Sequence, residues 1–227
     1  MNKAFTKFKH NATLLAGIFI ALIPAVGQAD WSFTGLGDLG GGRSVAFGIN
    51  DSGQVVGASE TSDETQHAFI TGPNGVGMSD LGNLSSYATG INNSGQVIGI
   101  AGTSNELFYP FITGPNGVGM TSLGLLGGAD SFTTTGINNS GQVAGWHFTN
   151  NGNFNAFMTG PNGIGITDLD ALGGGFGKAN GINNFGQVVG SSRNIDGDHH
   201  VFMTGPNGVG ITDLGHYCPV NFQSRDI

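Results

Sequence analysis

The densest group of reactive side chains in the sequence is Asp196-Gly197-Asp198-His199-His200. Two carboxylates and two imidazoles this close together offer the oxygen and nitrogen donors that a divalent transition metal takes. The spacing matches no closed metal-binding pattern, and a solvated loop tip is the competing reading. Asp196, Asp198, His199 and His200 therefore stand as weak candidate ligands. Elsewhere the reactive residues are dispersed. His67 and His200 occupy the same place in a recurring phrase and are expected to cap or pack at the start of a strand; His147, His199 and His216 share no such place. Asp38, Asp80, Asp168 and Asp213 recur, with Ser122 once in their stead. An Asp beside a turn that accepts backbone N–H groups is a simpler account of them than calcium ligation or acid–base catalysis, and the Asn-Asp-Ser-Gly turn lacks the alternating carboxylates of a calcium loop. No unlike reactive groups converge as a catalytic set would, and no Gly-rich run opens a helix to cradle phosphate. The sequence thus assigns no catalytic residue and no cofactor.

What must position these residues is a sentence written four times. G-I-N-x-x-G-Q-V-x-G begins at Gly48, Gly90, Gly136 and Gly181, and F-(I/M)-T-G-P-N-G-(V/I)-G-(M/I) begins at Phe69, Phe111, Phe157 and Phe202. A closing phrase, Asp-Leu-Gly or a variant, occurs a fifth time, ahead of the first full copy, at Asp38. Each copy reads as four short strands. Val45, Phe47 and Ile49 alternate with small residues, the period of a half-buried strand. Asn50-Asp51-Ser52-Gly53 is expected to close a hairpin as a type I turn with a Gly bulge. Gln54 to Ala58 is the second strand, His67 to Thr71 the third and Val76 to Leu81 the fourth. The Gly-Pro-Asn-Gly turn before the last recurs unchanged in all four copies, with Pro presetting φ and Gly taking the left-handed position. Between the second and third strands lie segments that change length and content: Ser59 to Gln66, Gly102 to Leu107, Thr149 to Asn155 and Ser191 to Asp198.

Four antiparallel strands in about 45 residues is one propeller blade's worth of chain. A single such sheet cannot bury both faces, whereas stacking sheet on sheet does. The expected fold class is all-β, a β-propeller-like array of four four-stranded repeats, with a β-solenoid or β-prism-like stack as the alternative. Residues 30–215 would form this domain, with Trp31 to Leu39 as an extra opening strand and 216–227 as a non-repeat tail. Residues 1–29 read as a signal peptide: Lys3, Lys7 and Lys9, then an apolar run from Thr13 to Leu22, then small residues before a cut after Ala29. That run is short for a membrane span, so export without stable membrane insertion, to the periplasm or beyond, is expected.

Past Ala29 only Arg43, Lys178, Arg193 and Arg225 oppose fifteen acidic residues. So acidic a protein repels phosphate, which argues against nucleic acid as a partner. Cys218 is the only cysteine, so no internal disulfide can form.

The phrases resemble the HAF family of probable extracellular bacterial repeats, named for a His-Ala-Phe tripeptide. His67-Ala68-Phe69 matches outright; Tyr109-Pro110-Phe111, Asn155-Ala156-Phe157 and His200-Val201-Phe202 match in part. The family's D-L-G-x-L-G-G is met from Ser122 to Gly128 except for the Asp, and I-N-x-x-G-Q-V-V-G is matched closely four times. The resemblance implies an exported repeat protein and carries over no functional residues. The leading expectation is a non-enzymatic protein that presents variable loops to a protein or glycan at or outside the cell surface. A propeller-type glycan hydrolase or lyase is one alternative. A structural surface protein, or a truncated fragment of a longer array, is another.

Overall fold

The computed structural model describes residues 33–82, 84–103, 108–124, 131–169 and 172–216. The leader, its cleavage point, Trp31 and Cys218 lie outside them. Contacts divide the chain at Thr34/Gly35; of the first part only Phe33 and Thr34 are described, without regular structure. The described residues from Gly35 on are all-β, with sixteen strands falling into four consecutive groups of four. Repeat 1 holds β1 (Gly40–Ile49), β2 (Val55–Thr61), β3 (Gln66–Thr71) and β4 (Met78–Asp80). Repeat 2 holds β5 (Ser86–Ile91), β6 (Val97–Gly102), β7 (Phe108–Thr113) and β8 (Met120–Ser122). Repeat 3 holds β9 (Ser131–Ile137), β10 (Val143–Phe148), β11 (Phe154–Thr159) and β12 (Ile166–Asp168). Repeat 4 holds β13 (Gly173–Ile182), β14 (Val188–Asn194), β15 (His199–Thr204) and β16 (Ile211–His216). Within each repeat, neighbours in sequence pair antiparallel. A single parallel pair, Phe154 with Phe176, joins the sheets of repeats 3 and 4. Phe33 to Asp38 of the expected opening strand form no strand, and Leu39 makes an isolated bridge to Thr61 and donates its N–H to Ser59 Oγ.

The recurring residues have identifiable tasks. In every repeat the first and second strands slip register next to the Gly of Q-V-x-G. The slip brings a first-strand carbonyl to where a Cβ would stand: Tyr87 O would lie 2.1 Å from one at Gly99, and Thr133 O 2.1 Å from one at Gly145. The third-strand Phe ring closes over the same spot, so only glycine fits. That Phe is the largest fully buried side chain of each repeat: Phe69, Phe111 and Phe157 are 0% exposed and Phe202 1%. The Thr two residues later is buried too. Thr71, Thr113, Thr159 and Thr204 each accept the N–H of the Val that starts the second strand, at 2.8–2.9 Å.

Among the described residues, each hydrophobic core cluster spans two consecutive repeats. Val56, Ala68 and Ile70 of repeat 1 pack on Ala88, Val97 and Phe111 of repeat 2. Ile98, Ile112 and Leu123 of repeat 2 pack on Phe132, Val143 and Phe157 of repeat 3. Ala144, Met158 and Leu169 of repeat 3 pack on Ala179, Val188 and Phe202 of repeat 4. Stability is therefore built junction by junction. The outward faces of the first and last repeats are bare by comparison. Ala88 and Ala179 are 0% exposed, whereas their counterpart Ala46 on β1 is exposed. Leu123 and Leu169 are 7% and 8% exposed, whereas their counterpart Leu214 is 55% exposed.

Candidate functional site

Each repeat has two edges. The turn edge carries the hairpin turns after the first strand and the Gly-Pro-Asn-Gly turns. Asn50 accepts the N–H groups of Ser52 and Gln54 on its own Oδ1 and donates to Gln54 Oε1, which holds the first turn. Gly53 sits at φ 73° and donates to Asn50 O, as the type I turn with a Gly bulge requires. In the second turn both Asn and Gly are left-handed, Asn74 at φ 57° and Gly75 at φ 73°. Asn tolerates this region better than other non-glycine residues, and the conformation lets Asn74 and Gly75 donate to Ser52 O and Gly53 O. The two turns of one repeat thus clasp each other.

The same side chains reach the next repeat. Asn50, Asn92 and Asn138 Nδ2 donate to Asn92 O, Asn138 O and Asn183 O at 3.0–3.1 Å. Gln54, Gln96 and Gln142 Nε2 donate to Asn116, Asn162 and Asn207 Oδ1 at 3.2–3.4 Å. Asp51, Asn93 and Asn139 N–H groups donate to Asn93, Asn139 and Asn184 Oδ1. At this edge the recurring polar groups serve structure.

The opposite, hairpin edge carries the variable segments and the His–Asp chemistry. His67 at the start of β3 holds Asp80 at the end of β4, Nδ1 to Oδ2, at 2.8 Å. His200 holds Asp213 in the same way, Nδ1 lying 2.8 and 2.7 Å from the two oxygens. The recurring Asp also accepts the backbone N–H two residues on, Gly82 on Asp80 and Gly215 on Asp213, as expected of an Asp beside a turn. The Gly215 N–H, followed by the His200 contact, holds the Asp213 carboxyl below its ordinary range. In repeat 3 the tripeptide His is replaced by Asn155, which donates to Asp168 Oδ2 at 3.3 Å. His147 from β10 approaches the other oxygen at 2.6 Å. Repeat 2 has Tyr109 and Ser122 at these positions.

A His–Asp pair is two members of a nucleophilic triad, and a hydroxyl at the other ring nitrogen would be the third. At His200 that nitrogen faces Asn194 Nδ2 at 3.5 Å. At His147, 2% exposed, it is buried without a hydrogen-bond partner among the described residues, under a ring stacked on Phe132. Neither arrangement is that of an activated serine.

Of the four candidate ligands, the fold brings Asp198 and His200 together and adds His216, with ligand atoms of the three within 4.8 Å of one another. Asp196 contributes its N–H to the Asn194 side chain, and His199 turns to Arg193, whose Nε lies 3.2 Å from its Nε2. His216 belonged to no repeat phrase, and only its place three residues after the last recurring Asp could have signalled it.

Two further features lie across repeats 3 and 4. Lys178 Nζ sits 4.1 Å from the Trp146 ring centre and 4.2 Å from that of Phe154. Phe148 and Phe176 pack edge-on against Phe154, and the Arg193 guanidinium lies over Phe176. Two of the few cations in the protein thus share one aromatic patch at the hairpin edge. A groove of about 470 Å³ also runs between the two repeats, with Gln142, Met158 and Asp168 on one wall and Thr204, Asn207 and Ile211 on the other.

No protein-family model matches the chain, and no curated protein matches its sequence. Solved structures do match in fold. TolB from Acinetobacter baumannii is 9% identical with a TM-score of 0.54, over 77% of this chain and 44% of that one. A putative TolB from Agrobacterium tumefaciens is 16% identical with a TM-score of 0.50, over 74% and 63%. A puromycin-hydrolyzing peptidase from Mycobacterium tuberculosis is 12% identical with a TM-score of 0.50, over 72% and 27%. The chain spans less than two thirds of each. Identities this low establish a shared β-rich fold and carry no activity. Among the described residues, no helix is long and apolar enough to cross a membrane.

Proposed function

We propose that the chain is an exported, HAF-type β-repeat protein of propeller-like build, which binds a protein or glycan through its hairpin edge without transforming it. The observation that carries this reading is the division of labour between the two edges. Recurring polar side chains at the turn edge are engaged in holding repeats together. The residues that differ from copy to copy gather at the hairpin edge, where Trp146, Phe148, Phe154 and Phe176 form a patch with Lys178 and Arg193. Aromatic faces combined with cations suit sugar rings, acidic groups and protein side chains alike. Loops of variable composition on a regular scaffold are the usual carriers of recognition.

Binding of the purified protein to an immobilised panel of neutral and acidic glycans, and to isolated envelope proteins, tests the reading. Trp146→Ala with Phe148→Ala should weaken the interaction at least about tenfold, the loss of ~1.4 kcal/mol, while leaving the fold intact by circular dichroism. Binding unchanged in that variant would overturn the assignment of the edge. Conversion of a bound glycan would favour the hydrolase or lyase alternative.

A further inference from the structure

We propose that Asp198, His200 and His216 form a binding site for a divalent transition cation of the zinc class, with Asp213 holding His200 in the ligating orientation. This goes beyond the binding function of the hairpin edge and does not depend on it.

Four observations converge. First, two imidazoles and a carboxylate are a donor set that zinc and its neighbours accept, and their ligand atoms lie within 4.8 Å of one another. Bonds of about 2.0–2.1 Å in tetrahedral array place ligand atoms roughly 3.4 Å apart. His200 is buried, whereas Asp198 and His216 are exposed, so two free side chains close on a fixed one. Second, His200 Nδ1 faces the Asp213 carboxylate at 2.7 Å. A donor hydrogen bond from Nδ1–H fixes the tautomer that leaves the Nε2 lone pair outward, the carboxylate–histidine–metal arrangement. The one described contact of Nε2, with Asn194 Nδ2 at 3.5 Å, is long enough to give way.

Third, repeat 4 departs from the others at this point alone in the fourth strand. β4, β8 and β12 end at the recurring Asp or Ser, whereas β16 runs on through Leu214 and Gly215 to His216. A register shift between His200 and Phe202 and a left-handed Gly215 at φ 100° set His216 directly across from His200. The two rings stand 4.5 Å apart. Fourth, repeat 1 is an internal control. It has the same brace, His67 on Asp80, but Thr65 and Asn83 stand where repeat 4 has Asp198 and His216. The brace therefore suffices for structure, and the two added ligands are not needed for it.

The test is zinc titration of the purified full chain, carrying no histidine tag, by calorimetry and by competition with a chromophoric chelator. The wild type should bind one equivalent. His216→Ala should weaken binding about tenfold or more and Asp213→Asn by about 10–100-fold, whereas His67→Ala should leave it unchanged. Zinc should also raise the melting temperature of the wild type and not that of His216→Ala. Because His216 is exposed, that variant without metal should melt with the wild type, so loss of binding cannot be attributed to unfolding. Equal binding by wild type and His216→Ala, or no binding by the wild type up to ~1 mM zinc, would overturn the proposal.

Discussion

At the turn edge, Asn50, Asn92 and Asn138 make the same bonds to the same partners. At the hairpin edge, the position of the tripeptide His is held in turn by His67, Tyr109, Asn155 and His200. The contrast is physical. A turn-edge amide is buried at a junction and must satisfy its donors there: Asn92 is 4% exposed and Gln142 5%. An unsatisfied buried amide costs about 1–3 kcal/mol, which leaves little room for change. At the hairpin edge the rings of His67 and His200 are buried, but their Asp partners and the loop side chains around them reach solvent, where substitution is cheap and chemistry can diverge. What recurs at the turn edge therefore marks where repeats join, and what differs from copy to copy gathers at the hairpin edge.

Four experiments sharpen or break that comparison. The largest effect should come from Phe157→Ala, which empties the space between Gly145 and the neighbouring repeat. It should destabilise by about 3–5 kcal/mol in denaturant unfolding, against under ~1 kcal/mol for Phe148→Ala at the half-exposed hairpin edge. Next, Asn92→Ala and Asn183→Ala remove equivalent turns, but only Asn92 also reaches the following repeat. Asn92→Ala should be the costlier by about 1 kcal/mol, and equal values would show that the junction bonds contribute nothing net.

Lys178→Met should lose about 0.5–1 kcal/mol of cation–π attraction and shift the Trp146 fluorescence. An unchanged emission spectrum would mean that the cation does not sit on that ring in solution. The smallest effect concerns acid. The Asp213 carboxyl is held low first by the Gly215 N–H and then by His200. Its stabilising contribution is thus full above the ordinary Asp value of 3.8 and fades as pH falls from there through the lowered value. Asp213→Asn should remove that limb of the acid-unfolding curve and leave the region above it parallel to wild type.

Much of this was legible in the sequence because it is local. The strand positions, the turn residues and the burial of Phe69 and its three counterparts follow from spacing within one copy, whereas Val45, Phe47 and Ile49, expected to form a half-buried face, are 53%, 56% and 68% exposed. The sequence also marked His67 and Asp80 as recurring residues. Their pairing is not legible there, because it depends on β3 and β4 running antiparallel around the Gly-Pro-Asn-Gly turn. The signal was present, since His and Asp stand the same distance apart in copies 1 and 4. The Gly of Q-V-x-G looked like a strand residue; its purpose emerges only when the first strand slips register and a Phe ring from the third arrives. The approach of His147 to Asp168 from a different strand, and of His216 to His200 across β16, are long-range outcomes that no spacing within a phrase announces. The Asn-rich turns read as turns alone, while their second task, bonding across repeats, requires knowing which repeat lies next door.

The amide contacts between repeats have a sense of direction. In all three junctions the first Asn and the Gln of each hairpin turn give hydrogens forward along the chain, and the carbonyl and amide oxygens of the following copy receive them; at the first junction Asn93 Nδ2 also gives one back, to Asp51 Oδ2. A module with a giving side and a receiving side can be inserted, lost or duplicated whole without disturbing any interface, because each new neighbour presents the same grip. Copy number is then the cheapest property for inheritance to alter. Reversing one module, or splicing one in out of phase, would set oxygen against oxygen and hydrogen against hydrogen.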